Sequence, residues 1–319
     1  MKRFKNILVL SDDDDGSQAL IDRAKWLAEA NGAALTLFHV VDTAPGELSR
    51  ILSGLFGSRA TEIESEVLTF HQKRLDTLAQ TLEAAGLSVK VHVAHGIGFI
   101  ETIQYVLKHD CDLVLKSAEH APLKQAMRGA DLHLLRKCPC PVWVLNGVQE
   151  PAARRIVAAV DPEPNDPTRK ALNRKVMELA TSLARQDGAQ LDVLNAWHLQ
   201  EEATLRHSRI HATEEEIQVI LSNVERQSAS NLNQLVAEFE EYSDLMRVIH
   251  VKGIPEDVIT EHAESEKADI LVMGTIGRTG LTGLFIGNVA ETVLNRVSCS
   301  VMAVKPEGFV SPVAAAEPS

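Results

Sequence analysis

The sequence predicts an α/β protein made of two tandem, doubly wound domains, each built on a five-stranded parallel sheet. Three observations carry this expectation. The two halves of the chain resemble each other from end to end. In each half, apolar runs rich in Val, Ile and Leu alternate with helical patterns, as in a parallel sheet covered on both faces. The length, 319 residues, suits about two domains.

The elements follow in order. The first half opens KNILVLSDDDDGSQALIDRAKWLAEANGAALTLFHVVD, and the second RRIVAAVDPEPNDPTRKALNRKVMELATSLARQDGAQLDVLNAWH. Each reads as an apolar strand, an aspartate (Asp12, Asp161), a polar loop, an amphipathic helix closing on Asn-Gly or Asp-Gly, and a second strand. Ile7–Leu10 and Leu35–Val41 are the first two strands; Ile21, Ala24, Leu27 and Ala28 between them have helical spacing. A long helix is expected from about Arg59 to Ala85, with a more acidic counterpart around Thr213–Glu241. The third strand, Val89–Val93, lies in SVKVHVAHGI, which matches LMRVIHVKGI and sets Gly96 over Gly253. The fourth lies in HDCDLVLKSA, which matches EKADILVMGT and sets Asp112 over Asp269. Both halves finish on a strand beside a cysteine, CPVWVLN and CSVMAVKP. The repeat spacing of about 150–157 residues means a duplicated domain, not a solenoid. GVQEPAA, from Gly147 to Ala153, has linker composition. The expected domains are therefore 1–148 and 149–308, followed by a loose tail at 309–319.

Composition excludes several classes. A net charge of −12 argues against nucleic acid or an anionic membrane as the main partner, since phosphate binding wants a basic footprint. It leaves room for a local anion site made of backbone amides. Four scattered cysteines are too few for a disulfide framework and fit a reducing compartment. No apolar run approaches the ~20 residues of a membrane span, and the N-terminal one is too short for a secretory signal. A cytoplasmic protein is expected.

One segment invites chemistry. MGTIGRTGLTGLFIGNVAE, Met273 to Glu291, places glycines at 274, 277, 280, 283 and 287 in a chain that has 18. It follows the strand ADILVM and precedes a helix expected near Asn288. A plain flexible loop is one reading. The dinucleotide fingerprint G-x-G-x-x-G does not occur here, and the P-loop fails because the chain has no Gly-Lys pair. The remaining reading is an anion cradle: glycines let the backbone approach an anion, and a helix N-terminus offers free N–H groups to it. Asn288 is both a good N-cap and an amide donor. Arg278 is either a charge-assisted contact or an ordinary solvated arginine.

Gly274, Gly277, Gly287 and Asn288 form G-x2-G-x9-G-N. This resembles the ATP-binding motif of the universal stress protein family, G-x2-G-x9-G followed by Ser or Thr. With both halves matching, the chain is similar to the tandem E-type members. The resemblance implies an adenine nucleotide alpha hydrolase-like fold of strand order 3-2-1-4-5, and ATP, alone or with Mg2+, as ligand. It implies that Asp161 faces the Gly274 loop near the nucleoside, unless that carboxylate only caps the following turn. It also places backbone near Ala196 at the adenine, and Val289 beside Asn288 at the phosphates. Asn288 departs from the Ser or Thr of the motif. Family members commonly dimerise through the last strand. Here Val142–Leu145 and Val301–Val304 are expected to pair with each other as an intramolecular pseudo-dimer, with Trp143 and Met302 near its axis. Association of whole chains is open.

The first half lacks the cradle. Ser117 stands where Gly274 would be and His120 where Gly277 would be; the last glycine falls loosely among Arg128, Gly129 and Ala130. This half is expected to bind no triphosphate and to act as a structural partner. Asp12–Asp15 would repel a polyanion; a solvated turn is favoured there over a Mg2+ site. Cys138-Pro-Cys140 is not the redox C-x-x-C, and His207 and His211 lack a third metal ligand. No nucleophile elbow occurs. The expected function is therefore stress-related binding of an adenine nucleotide by the C-terminal domain, with hydrolysis slow at most. A scaffold that binds no nucleotide, or another ligand, is the alternative; a true ATPase is a third.

Overall fold

The computed structural model describes residues 4–11, 17–42, 54, 60–118, 129–146, 152–207, 213–275 and 286–313. In chain order the elements are β1 (Asn6–Leu10), α1 (Ser17–Asn31), β2 (Ala34–Asp42), α2 (Ala60–Ala84), β3 (Val89–Gly96), α3 (Gly98–His109), β4 (Leu113–Ser117), α4 (Gly129–Lys137) and β5 (Val142–Leu145). Then come β6 (Arg155–Ala159), α5 (Pro167–Asp187), β7 (Gln190–Trp197), α6 (Glu202–His207), α7 (Glu214–Ala237), β8 (Met246–Lys252), α8 (Pro255–Ser265), β9 (Ile270–Gly274), α9 (Asn288–Arg296) and β10 (Ser300–Val304).

Contacts divide the chain into two compact units. The first runs to Ala152 and also takes in Ser300–Ser319 from the end of the chain. The second starts at Ala153 and ends at Cys299. The repeats in the sequence and the units in space thus divide the chain differently at one strand. Ser300–Val304 closes the second repeat by sequence but packs with the first unit.

In the first unit the strands lie in the order β3-β2-β1-β4-β5-β10. The first five are parallel, with Leu8 opposite Thr36 and Val114, which is the 3-2-1-4-5 order implied by the resemblance. β10 is antiparallel to β5, with Met302 opposite Trp143 and Val301 opposite Val144, the two strands expected to pair. The inner strands are continuous apolar runs because both faces are covered. Ile7, Leu8, Val9, Leu35, Leu37, Leu113, Leu115 and Trp143 are fully buried. β3, by contrast, alternates between half-buried and exposed residues along Val89–His92.

In the second unit β6 lies between β7 and β9, and β7 carries β8 on its far side, all parallel. The first crossover helix has the same exit in both units. α1 is followed by Gly32 at φ 63° and α5 by Gly188 at φ 67°. This left-handed conformation is cheap only without a Cβ, so Asn-Gly and Asp-Gly stop these helices. At the amino end of the second sheet, the fully buried Asp192 gathers Arg155, Arg247 and His262. Burial alone would raise its pKa, but the hydrogen bonds from Arg247, His262 and Arg155 hold the carboxyl below its ordinary value. The four cysteines are buried free thiols, and Cys138 and Cys140 Sγ lie 3.6 Å apart. No helix among the described residues is long and apolar enough to cross a membrane.

Candidate functional site

In a doubly wound sheet the crossovers leave opposite faces on either side of the first strand, so a crevice opens at the carboxyl ends there. In the second unit that strand is β6, and the crevice lies beyond Ala159 and Met273, the last residues paired between β6 and β9. Three pieces of chain meet at it: the loop from β6 to α5, the end of β7, and the passage from β9 to α9.

The β6–α5 loop is held by side-chain amides. Three consecutive carbonyls each accept from an asparagine: Val160 O from Asn195 Nδ2 at 2.9 Å, Asp161 O from Asn173 Nδ2 at 2.9 Å, and Pro162 O from Asn231 Nδ2 at 3.3 Å. Asn173 Oδ1 in turn accepts from Asp161 N–H at 2.8 Å. Behind Asn195, Ser228 Oγ donates to its Oδ1 at 2.9 Å, and His250 Nε2 lies 3.0 Å from that hydroxyl. Since the hydroxyl proton is spent on Asn195, His250 must donate through Nε2–H. Loop carbonyls at a sheet end would otherwise need water; here they are fixed from α5, β7 and α7.

Asp161 stands on this loop. Its carboxylate Oδ2 is paired with Arg169 Nη2, and the same nitrogen lies 3.3 Å from Asp161 O. Asp161 does not cap α5. That role belongs to Asp166, whose Oδ1 accepts from Thr168 N at 3.0 Å and Arg169 N at 3.1 Å, with Pro167 in the first turn.

At the end of β7, Ala196 is 8% exposed and opposite Val251 in register. The β6 ladder stops at Ala159–Leu194, and Val160 N–H adds one bond to Leu194 O at 2.9 Å. In a parallel strand alternate residues direct both backbone groups to the same neighbour. The N–H and C=O of Ala196 therefore point toward β6, past the end of the ladder.

β9 ends on Gly274, where an added Cβ would lie 2.7 Å from Leu172 Cδ2 on α5. A Cβ there would have to displace the Leu172 side chain, so the glycine also serves helix–sheet packing, besides any role toward a ligand. After it, the buried Thr275 accepts from Gly287 N–H at 2.8 Å, which sets the start of α9 against the end of β9. The sequence offered Asn288 as the N-cap; the structure corrects this. Gly287 is the N-cap, at φ −64° and ψ 147°, and Asn288 is the first helical residue with an exposed side chain. An asparagine caps only from the extended residue before the helix, and the motif's last glycine occupies that position. The first intrahelical bond is from Glu291 N to Gly287 O at 2.9 Å. The N–H groups of Asn288, Val289 and Ala290 have no partner among the described residues. Gly277 and Arg278 lie outside the described residues.

The crevice therefore gathers Asp161, Ala196, Gly274, Gly287, Asn288 and Val289. Sequence reasoning missed Arg169, Asn173, Asn195 and Asn231. Asn173 did leave a signal, as a polar residue on the buried stripe of Leu172, Val176 and Met177 in α5.

The first unit has the same frame with other chemistry. Ser11 N–H reaches Phe38 O at 2.9 Å, the counterpart of Val160 and Leu194. The Ser11 carbonyl is bonded by His39 Nδ1 at 2.6 Å, where the second unit uses Asn195. The His39 ring stacks on His71 at 4.2 Å. Lys116 on β4 forms a buried ion pair with Asp131 on α4. Asp12–Asp15, His120, Arg128 and His211 lie outside the described residues.

Fold and crevice define the class: a tandem α/β chain of the doubly wound parallel type, with polar groups gathered where the strand order reverses. Comparison with known proteins gives the family. The family model described as "Universal stress protein family" matches residues 3–146 and again 152–305, and the chain belongs to that stress-response family as a tandem member of the E type. It is 30% identical over 318 residues to Universal stress protein E of Salmonella typhi, covering 98% of each chain. A functionally unknown protein from Pseudomonas aeruginosa PAO1 superposes with a TM-score of 0.69 at 24% identity, covering 98% of this chain and 96% of that one. A universal stress protein from Archaeoglobus fulgidus DSM 4304 superposes with a TM-score of 0.58 at 16% identity, covering 94% of this chain and 98% of that one.

Proposed function

We propose that the C-terminal unit binds ATP or a related adenine nucleotide, alone or with Mg2+, and that the N-terminal unit is a structural partner that binds none. The observation that carries this is the open first turn of α9 at the switch point. Three N–H groups and the positive end of the helix dipole stand where the strand order reverses, and such an end favours phosphate. The outward N–H and C=O of Ala196 match the acceptor and amine of an adenine edge. Asp161 stands between these two places on a loop fixed by three asparagines. In the N-terminal unit Ser117 replaces the close-packed glycine, and the ion pair of Lys116 with Asp131 sits beside it.

The reading is of a binding protein in a reducing cytoplasm, which suits four buried thiols. Isothermal titration with ATP and ADP tests it. The extended backbone of Gly287 suits a branched residue, so Gly287→Val should fold normally while its side chain crowds the open turn. We expect wild-type binding and at least tenfold weaker binding by this variant, read against ~1.4 kcal/mol per decade. A wild type that takes up no nucleotide makes the chain a scaffold. Phosphate release above a heat-killed control would make it an ATPase.

A further inference from the structure

Resting on that nucleotide reading, we infer that Arg169 is a specificity-determining residue of the crevice: by neutralising the Asp161 carboxylate it makes the site acceptable to a phosphorylated nucleoside.

The pair is built into the fold. Arg169 is fixed as the third residue of α5 by the Asp166 cap, and its Nη2 reaches both the carboxylate and the carbonyl of Asp161. Its side chain is 18% exposed while that of Asp161 is 48% exposed, so the guanidinium is the more buried member of the pair and the carboxylate the more open to solvent. Asn173 holds the Asp161 backbone independently of the Arg169 side chain, its Nδ2 also donating to the Arg169 carbonyl at 2.8 Å. The loop carries two further acids, Glu163 and Asp166, the latter occupied as the helix cap. An unpaired Asp161 would therefore leave the crevice acidic, in a chain that is already acidic. Such a site suits the hydroxyls of a ribose but repels phosphates, because like charges a few ångströms apart interact strongly wherever water is thinned. With Arg169 in place, the carboxylate can accept a hydroxyl hydrogen bond without adding net charge.

The two repeats differ at this point in sequence. After Asp161 an arginine arrives eight residues on, whereas no basic residue occurs between Lys5 and Arg23 around Asp12–Asp15. The repeat read as non-binding is also the one with no basic residue in this stretch of its sequence.

Titration of ATP and of adenosine against wild type, Arg169→Met, Asp161→Asn and the double variant, at low and high salt, tests the inference. Arg169→Met should weaken ATP about tenfold at low ionic strength while adenosine changes by less than about twofold, the size expected for one uncompensated charge near a surface. The loss should shrink at high salt, where screening acts, which a packing defect would not do. The double variant should restore the wild-type ratio of ATP to adenosine affinity. Arg169→Lys, which keeps the charge, should behave like wild type in that ratio and serves if the methionine variant melts early. Equal losses for ATP and adenosine, or a salt-independent loss, would overturn the inference while leaving nucleotide binding intact. A wild type that binds neither ligand would instead overturn the nucleotide reading beneath it.

Discussion

Lys305, just past the last strand, has a 2% exposed side chain whose amine lies 4.9 Å from the Phe309 ring centroid. Burial pushes the amine down from 10.5 to about 7, partly opposed by Cys138. In the unfolded chain the same amine stays charged up to 10.5. Between those values the unfolded state holds a proton that the folded state has released, so this group makes stability rise with pH from about 7 to about 10.5. Denaturant unfolding at several pH values should show that Lys305→Met flattens the slope of stability against pH by about one proton over this range. An unchanged slope would mean that the amine is charged in the fold. No local pattern in the sequence foretells this residue. VKPEG reads as a polar strand end, and only packing encloses the lysine.

At the scale of elements, α9 offers the sharpest separation of roles. Proline is tolerated at the first helical position, where its missing N–H serves no intrahelical bond, and the residue before it must be extended. Gly287 at φ −64° and ψ 147° meets that condition. Asn288→Pro therefore removes one free N–H and the side-chain amide while leaving the helix intact, whereas Asn288→Ala removes the side chain alone. If the backbone holds the phosphates, titration should show a loss of about tenfold for the proline variant and under threefold for alanine, within the ~1–3 kcal/mol range of charge-assisted hydrogen bonds. Equal losses would assign the contact to the side chain. The elements themselves were legible in the sequence because each buried strand is a nearly unbroken apolar run. The predicted 59–85 helix became Ala60–Ala84, and Leu35–Val41 grew by one residue at each end. The strand order came from the resemblance, since strand patterns do not say which strands are neighbours. The crevice was legible where it depends on local spacing, as at Gly274 and Gly287. Its supports were not. Asn195 and Asn231 reach carbonyls 35 and 69 residues away, pairings that leave no periodicity to read, while Asn173, 12 residues from its carbonyl, showed only as a polar residue on a buried stripe.

For the molecule as a whole, the strand that ends the second repeat belongs by its contacts to the first unit. β10 lies antiparallel along β5, with its residues fully buried or nearly so. Without it, β5 would present an unpaired apolar edge, Val-Trp-Val-Leu, of the kind that seeks another strand. The first unit is therefore completed by residues more than 150 positions away, and the continuous chain makes that pairing intramolecular at a loop-closure cost that grows only slowly with length. A chain with a specific protease site inserted between residues 147 and 151 tests this directly. After cleavage, the two fragments should elute as one species on native size exclusion and separate only in denaturant, because the β5–β10 ladder and the core around Trp143 outlast the cut. The isolated fragment ending at residue 146 should by the same reasoning self-associate or precipitate. Fragments that part on native elution after cleavage, with the first monomeric and stably folded, would show that each repeat completes its own core and that the ladder contributes little.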